Sequence, residues 1–237
     1  MERVALVTGA DRGLGRALTE DLLGRGWTVI AGRHMDWPEL DELALRFPES
    51  LRIVPLDVSS DQSVKEASRQ IGDMVGHIDL LISNAAIFRS LDVNSIRESP
   101  SFDEMIREFN VNAVGGLRVV EAFLPLLDRG ELKRLCFVSS EAGSIAASTR
   151  TGWFGYCMSK VALNMAVKNL SNDLIPQGFS FRLYHPGWMR TYMEGEKNLK
   201  APMEPEEAST LALKYFLDPV NPEQVTLHDW QGADYPW

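Results

Sequence analysis

The sequence predicts an α/β fold in which one parallel sheet of about seven strands carries helices on both faces. Three observations lead there. Short runs rich in Leu, Ile and Val recur at 4–7, 28–31, 51–56, 80–83, 135–139 and 179–184, with a weaker one near 225–227. These runs are nearly continuous in apolar residues instead of alternating, the pattern of strands covered on both faces. Helix-length amphipathic stretches separate them, which imposes right-handed crossovers between parallel strands.

The run at 4–7 leads into Thr8-Gly9-Ala10-Asp11-Arg12-Gly13-Leu14-Gly15, and a helix over 14–23 follows. Gly9 permits a tight turn, Gly13 lets the backbone approach a pyrophosphate, and Gly15 lets the helix pack close to the sheet. A phosphate there meets unpaired N–H groups at the positive end of the helix dipole. This strand–loop–helix context makes the doubly wound sheet Rossmann-type and predicts a dinucleotide site. The run at 28–31 ends in Gly32-Arg33-His34. An NAD-preferring site places a carboxylate there for the ribose 2′-OH. Gly32 and Arg33 stand in its place, Arg12 lies in the glycine loop, and Asp36 is the nearest acid. Guanidinium groups pair a 2′-phosphate well, so NADP(H) is the expected cofactor, with NAD(H) as the alternative.

Further helices are expected over 63–74, 102–127, 156–174 and 206–217. Residues 188–205, with Gly195, Pro202 and Pro205, read as an irregular substrate loop. The segments at 86–93, 141–154 and 188–202 are expected to lie over the carboxyl edge of the sheet. They bring Phe88, Trp153, Trp188, Tyr192 and Met193, which suit an apolar or aromatic compound.

Composition narrows the remaining choices. Hydrophobic residues make up 45 % of the 237 and charged residues 24 %, which excludes intrinsic disorder. No window approaches the roughly 18 consecutive apolar residues of a spanning helix. A net charge of −9 without a Lys/Arg cluster argues against nucleic acid or an anionic membrane as partner. Cys136 and Cys157 form no CxxC pair, the start carries no secretion-signal pattern, and a cytoplasmic location is expected. No metal site is expected. No repeat or linker interrupts the chain, so residues 1–237 are expected to form one domain.

Tyr156-Cys157-Met158-Ser159-Lys160 places a phenol and an ammonium at i and i+4, on one helix face. A free tyrosine has a pKa of about 10, and lowering it to 7 takes about 4 kcal/mol, part of which a fixed cation supplies. Ser140 is the last residue of the strand-like run Phe137-Val138-Ser139-Ser140, at the edge where open parallel sheets bind ligands. Ser139 and Ser144 are the neighbouring hydroxyls. Asn84 ends another strand at that edge. Asn112 sits mid-helix, an unfavourable place for an asparagine that predicts some local use.

Taken in order, the Thr8–Gly15 loop, Asp57, Asn84-Ala85-Ala86, Asn112, Ser140, Tyr156, Lys160 and Pro186-Gly187 resemble the short-chain dehydrogenase/reductases over about the whole chain. Residues 185–191 and the tail at 229–237 resemble its C-factor/sniffer-type carbonyl reductase subgroup. The resemblance implies that Tyr156 is the proton donor and acceptor and Ser140 orients the carbonyl. Lys160 holds the nicotinamide ribose and lowers the tyrosine pKa, and Asn112 anchors a relay water. It places Gly9, Asp11, Arg12, Gly13, Leu14, Gly15, Arg33, Asp57, Val58, Asn84, Ala85, Pro186, Gly187, Met189 and Thr191, besides Tyr156 and Lys160, on the cofactor. Thr191 would meet the carboxamide. The implied activity is NADPH-dependent reduction of a ketone or aldehyde, with reversible alcohol oxidation. A nucleotide-binding regulatory protein with incidental turnover is the rival. The long helices 102–127 and 156–174 pair across a two-fold axis in this family, which implies a homodimer or homotetramer.

Overall fold

The computed structural model describes residues 2–89, 94–193, 195–222 and 224–237. The elements run β1 (Val4–Thr8), α1 (Gly13–Gly24), β2 (Thr28–Arg33), α2 (Pro38–Arg46), β3 (Leu51–Pro55), α3 (Asp61–Met74) and β4 (Leu80–Ser83). Then follow α4 (Phe102–Phe109), α5 (Gly115–Leu127), β5 (Arg134–Val138), α6 (Phe154–Leu174), β6 (Ser180–His185), α7 (Pro205–Phe216), β7 (Leu227–Asp229) and β8 (Asp234–Tyr235). The strands form one sheet in the order β3-β2-β1-β4-β5-β6-β7-β8.

All five residues of β1 are buried. Its successive side chains alternate between two apolar clusters, one on each face of the sheet. Val4 and Leu6 join the cluster with α3, α5 and α6, while Ala5 and Val7 join the one with α1, α2 and α7. This two-sided burial is why the strand sequences read as continuous apolar runs. The chain winds outward from β1 to β3, then crosses to β4 on the other flank of β1. Loops leaving the carboxyl ends of β1 and β4 therefore diverge and open a crevice at the switch point.

Among the described residues the sheet has eight strands where about seven were expected. The added β8 is a two-residue strand antiparallel to β7, pairing Leu227 with Tyr235. The helix expected over 102–127 is divided by a π turn at Asn110–Val114 into α4 and α5. Such turns concentrate at functional sites. The short helix α2, begun by Pro38 and burying Leu40 and Leu43, has no counterpart in the expected elements.

Two fully buried cations anchor α7 to the sheet. Arg134 and Arg182 donate to the carbonyls of Phe216, Asp218 and Val220 and to Asn221. Guanidinium groups suit the negative end of a helix. The pair fixes the far end of α7, the helix that follows the 188–205 segment. Among the described residues no helix is long and apolar enough to cross a membrane.

Candidate active site

The glycine loop is tied to the end of β4. Thr8 Oγ1 accepts from the amides of Asn84 and Ala85, each at 3.0 Å. Asn84 Nδ2 donates back to the Thr8 carbonyl at 2.9 Å and the Gly9 carbonyl at 3.1 Å. Gly9 has φ +62° and Gly13 φ +56°, the left-handed region. A side chain at Gly9 would meet Ala85 Cα at 2.9 Å. Arg12 is the N-cap of α1, and it caps with no side-chain hydrogen bond. The first turn holds no acidic residue, so its N–H groups remain available to a ligand.

Asp11 sews this loop to the end of β2, accepting from the amides of His34 at 2.7 Å and Met35 at 3.1 Å. Asp57 accepts from the amide and hydroxyl of Ser59. These bonds, helped by His34 and Arg118, outweigh burial and hold its carboxyl below the usual range.

A cavity of about 1260 Å³ runs from the glycine loop to the aromatic side chains of Phe88, Trp153 and Trp188. Every site residue expected from the sequence lines it except Arg33 and Asn112. Arg33 Nη1 is held 2.9 Å from Asp41 of α2, with its Nε 3.9 Å from the exposed Asp36. Arg12 does face the cavity. Its guanidinium lies 4.8 Å from the Trp37 ring centroid and 5.8 Å from that of Tyr192, and the two rings are 5.1 Å apart. His34 and Trp37 were not among the expected site residues, although His34 directly follows the β2 end where cofactor choice was sought and Trp37 caps the helix just beyond it. Of the expected substrate segments, residues 90–93 and Glu194 lie outside the described residues.

Asn112 sits at the centre of the π turn. Its Oδ1 accepts from the Ile87 amide at 2.8 Å, and its Nδ2 donates to the Ile87 carbonyl at 2.9 Å and Ser159 Oγ at 3.0 Å. Both donors are spent inside the protein. Its side chain clamps the turn after β4 onto α6.

The three serines separate cleanly. Ser139 donates to Asn164 at 2.6 Å in the core, and Ser144 donates to the Pro236 carbonyl. Ser140 caps the short turn after β5 by accepting from the Ala142 amide at 3.1 Å, and its hydroxyl also bonds Tyr156. Tyr156 stacks on Phe88 at 4.5 Å. Lys160 Nζ lies 5.6 Å from the Tyr156 ring centroid and donates to the Val138 carbonyl at 3.1 Å.

Electrostatics differ from the simple expectation of a cation lowering the phenol. Among protein groups alone, burial pushes the Tyr156 hydroxyl up to about 12, opposed by the Ser140 hydrogen bond and reinforced by Glu141. Burial likewise pulls the Lys160 ammonium down to about 8. His185 at the end of β6 has a buried Nδ1 without a partner among the described residues, and burial lowers its pKa. It packs edge-on against Tyr235. Among the described residues no group of three or more His, Cys, Asp or Glu is placed to hold a metal ion.

Residues 3–202 match the family model described as short chain dehydrogenase. The chain belongs to that family. As a short-chain dehydrogenase it is an oxidoreductase, and its sheet, glycine loop and Ser140–Tyr156–Lys160 wall fit that membership. It is 41 % identical over 164 residues to the C-signal of Myxococcus xanthus, covering 68 % of this chain and 94 % of that protein. The NADPH-bound carbonyl reductase from chicken fatty liver superposes with a TM-score of 0.87 at 29 % identity, covering 100 % of this chain and 99 % of that one. The carbonyl reductase Sniffer of D. melanogaster gives 0.88 at 25 % identity, with 100 % of each chain covered.

Proposed function

We propose that this short-chain dehydrogenase uses NADP(H) to reduce an apolar or aromatic ketone or aldehyde, and to run the reverse alcohol oxidation. The observation that carries the reading is one continuous cavity with the glycine loop at one end and Ser140, Tyr156 and Lys160 on its wall. A nicotinamide dinucleotide fits the residues present. The uncapped start of α1 faces its diphosphate, and glycines stand where a side chain would collide. Thr191 lies across from Gly13, its methyl 3.3 Å from where a Cβ would sit. When bound, the nicotinamide supplies or accepts the hydride.

The remaining work belongs to the chain. Ser140 holds the carbonyl oxygen, and Tyr156 gives it a proton. Lys160 holds the nicotinamide ribose and supplies positive charge beside the phenol. Asp57 and Val58 flank the adenine. A purely regulatory nucleotide-binding protein needs no proton donor at this wall, which weighs against the rival reading. One domain performs both tasks, because the cavity draws on residues from Gly9 to Trp230. Oxidation of NADPH with a panel of aromatic aldehydes and ketones tests the proposal, and no turnover across the panel would reject it.

For the 2′-phosphate we assign Arg12. Arg33 is engaged by Asp41 and reads as a brace for α2. The chicken carbonyl reductase binds NADPH, and the Asp36 side chain is 99 % exposed and turned toward Arg33. Arg12→Ser is expected to raise the KM for NADPH about tenfold to hundredfold, the worth of a charged hydrogen bond, and to leave that for NADH nearly unchanged. Steady-state kinetics with both coenzymes decide it. Equal changes for the two would remove Arg12 from the phosphate.

The pH dependence follows from the two shifts. Tyr156, raised to about 12, keeps its proton through neutral pH and can donate it. Lys160, lowered to about 8, loses its charge as pH rises through that value. Reduction therefore declines above pH 8, whereas oxidation, which needs the phenolate, gains with rising pH. A kcat/KM profile for reduction that stays flat to about pH 9.5 would contradict this assignment of Lys160.

Phe102, Ile106 and Phe109 of α4 and Met158 and Met165 of α6 are exposed apolar side chains. They support a second copy packing across these helices as a homodimer or homotetramer. The unpaired thiols of Cys136 and Cys157 suit a reducing cytoplasm.

A further inference from the structure

The cavity wall runs against the charge of the whole molecule. The chain has a net charge of −9. Yet among the described residues the cavity is lined by five cationic side chains, Arg12, Arg89, Arg107, Arg150 and Lys160, against three acidic ones, Asp11, Asp57 and Glu141. The acids are already in use. Asp11 and Asp57 accept backbone amides, and Glu141 takes Arg150 in a two-pronged pair at 2.6 and 2.9 Å. Arg12 belongs to the glycine loop and Lys160 to the tyrosine. Arg89 and Arg107 remain as lining cations with no assigned task.

Their end of the cavity is built on an aromatic stack. Phe88 packs on Tyr156 and, at 4.9 Å, edge-on against Trp153. Arg89 follows Phe88 in the chain. Its amide donates to Glu108 Oε1 of α4 at 2.5 Å, and Arg107 is the residue before Glu108. The two arginines therefore start from either side of one buried carboxylate, next to the ring that stacks on Tyr156. Arg107 shares its charge with Glu104 at 2.9 Å. Arg89 is exposed and has no ion pair among the described residues. A substrate lying along Phe88 with its carbonyl at Tyr156 would bring its distal end to these guanidinium groups.

We infer that the substrate is a carbonyl compound whose apolar or aromatic body ends in a carboxylate, held by Arg89 and Arg107. Glu104 shares the charge of Arg107, whereas the Arg89 guanidinium makes no ion pair among the described residues and is the freer of the two to meet a carboxylate. The inference rests on the reductase reading above, and its test separates the two. Turnover of 4-carboxybenzaldehyde is compared with that of its methyl ester, and the two corresponding alcohols are titrated calorimetrically into the NADP⁺-saturated protein. The acid is expected to be favoured about tenfold in kcat/KM and in Kd, as for a charged hydrogen bond at a solvent-facing site.

In the double variant Arg89→Gln/Arg107→Gln that ratio falls to near one, through loss on the acid side alone. The melting temperature and NADP⁺ affinity stay at wild-type values, which separates lost recognition from misfolding. Equal handling of acid and ester by the wild type, or an undiminished ratio in the double variant, would overturn the inference. Preferential binding of the acid-bearing alcohol without turnover of either aldehyde would reject the reductase reading and uphold the anion site. Turnover of both aldehydes without preference would do the reverse.

Discussion

Tyr156→Phe is expected to lower kcat for carbonyl reduction by about 10²- to 10⁴-fold, the range a positioned general acid contributes. In free energy that is about 3–5 kcal/mol of the barrier. The substitution removes one oxygen and keeps the ring, so the stack on Phe88 at 4.5 Å survives. Ser140 still caps its turn through the Ala142 amide. NADPH binding should therefore change by less than about twofold, because the contacts at the glycine loop are untouched. The hydroxyl raised to about 12 by burial stays protonated and is suited to donation. Single-turnover rates, with the NADPH Kd from fluorescence, separate chemistry from binding. A variant retaining more than about a tenth of wild-type kcat would remove Tyr156 from the proton transfer.

The features legible in the sequence are those with a short-range physical signature. Continuous apolar runs locate six strands of the parallel sheet, because burial on both faces leaves no room for polar alternation. The glycine loop announces its backbone conformation, and Gly9 and Gly13 carry the positive φ it requires. What escapes depends on contacts made across the chain. Helix α2 buries only Leu40 and Leu43 and is otherwise polar, so its periodicity is faint. The ion pair of Arg33 with Asp41 is hidden for the same reason, since Asp41 lies on that helix.

The mid-helix position of Asn112 correctly signals a local use. The identity of that use depends on Ile87, 25 positions away. Among protein groups alone, burial pushes the Tyr156 hydroxyl up, which the sequence does not announce. The spacing of Tyr156 and Lys160 reports their shared helix face, whereas the extent of burial is a property of the folded site. Desolvation raises the phenol once it is inside, and Lys160 turns to the Val138 carbonyl.

Gly15→Ala tests the other end of the cavity. A Cβ there would overlap the Gly9 carbonyl oxygen and approach Asn84 Nδ2 to 2.6 Å. Neither atom is free to yield. Asn84 Nδ2 is bonded to the Gly9 and Thr8 carbonyls, and Thr8 Oγ1 in turn holds the Asn84 and Ala85 amides. The helix must back away from the sheet, which costs about 3 kcal/mol, at the upper end for overpacking a close contact. For a chain of this size that lowers Tm by about 6–12 °C. Moving the start of α1 also moves the N–H groups assigned to the diphosphate, so the NADPH Kd should rise more than about tenfold. At Gly24, the last residue of the same helix, a Cβ would meet nothing within 4 Å. Gly24→Ala should therefore leave cofactor binding intact and raise stability by up to about 1 kcal/mol, through the lost freedom of the unfolded chain. Calorimetric melting of the two variants, with and without NADPH, gives opposite signs if close approach governs Gly15. Matching small effects would show that α1 can shift at no cost and that the loop does not depend on a glycine there.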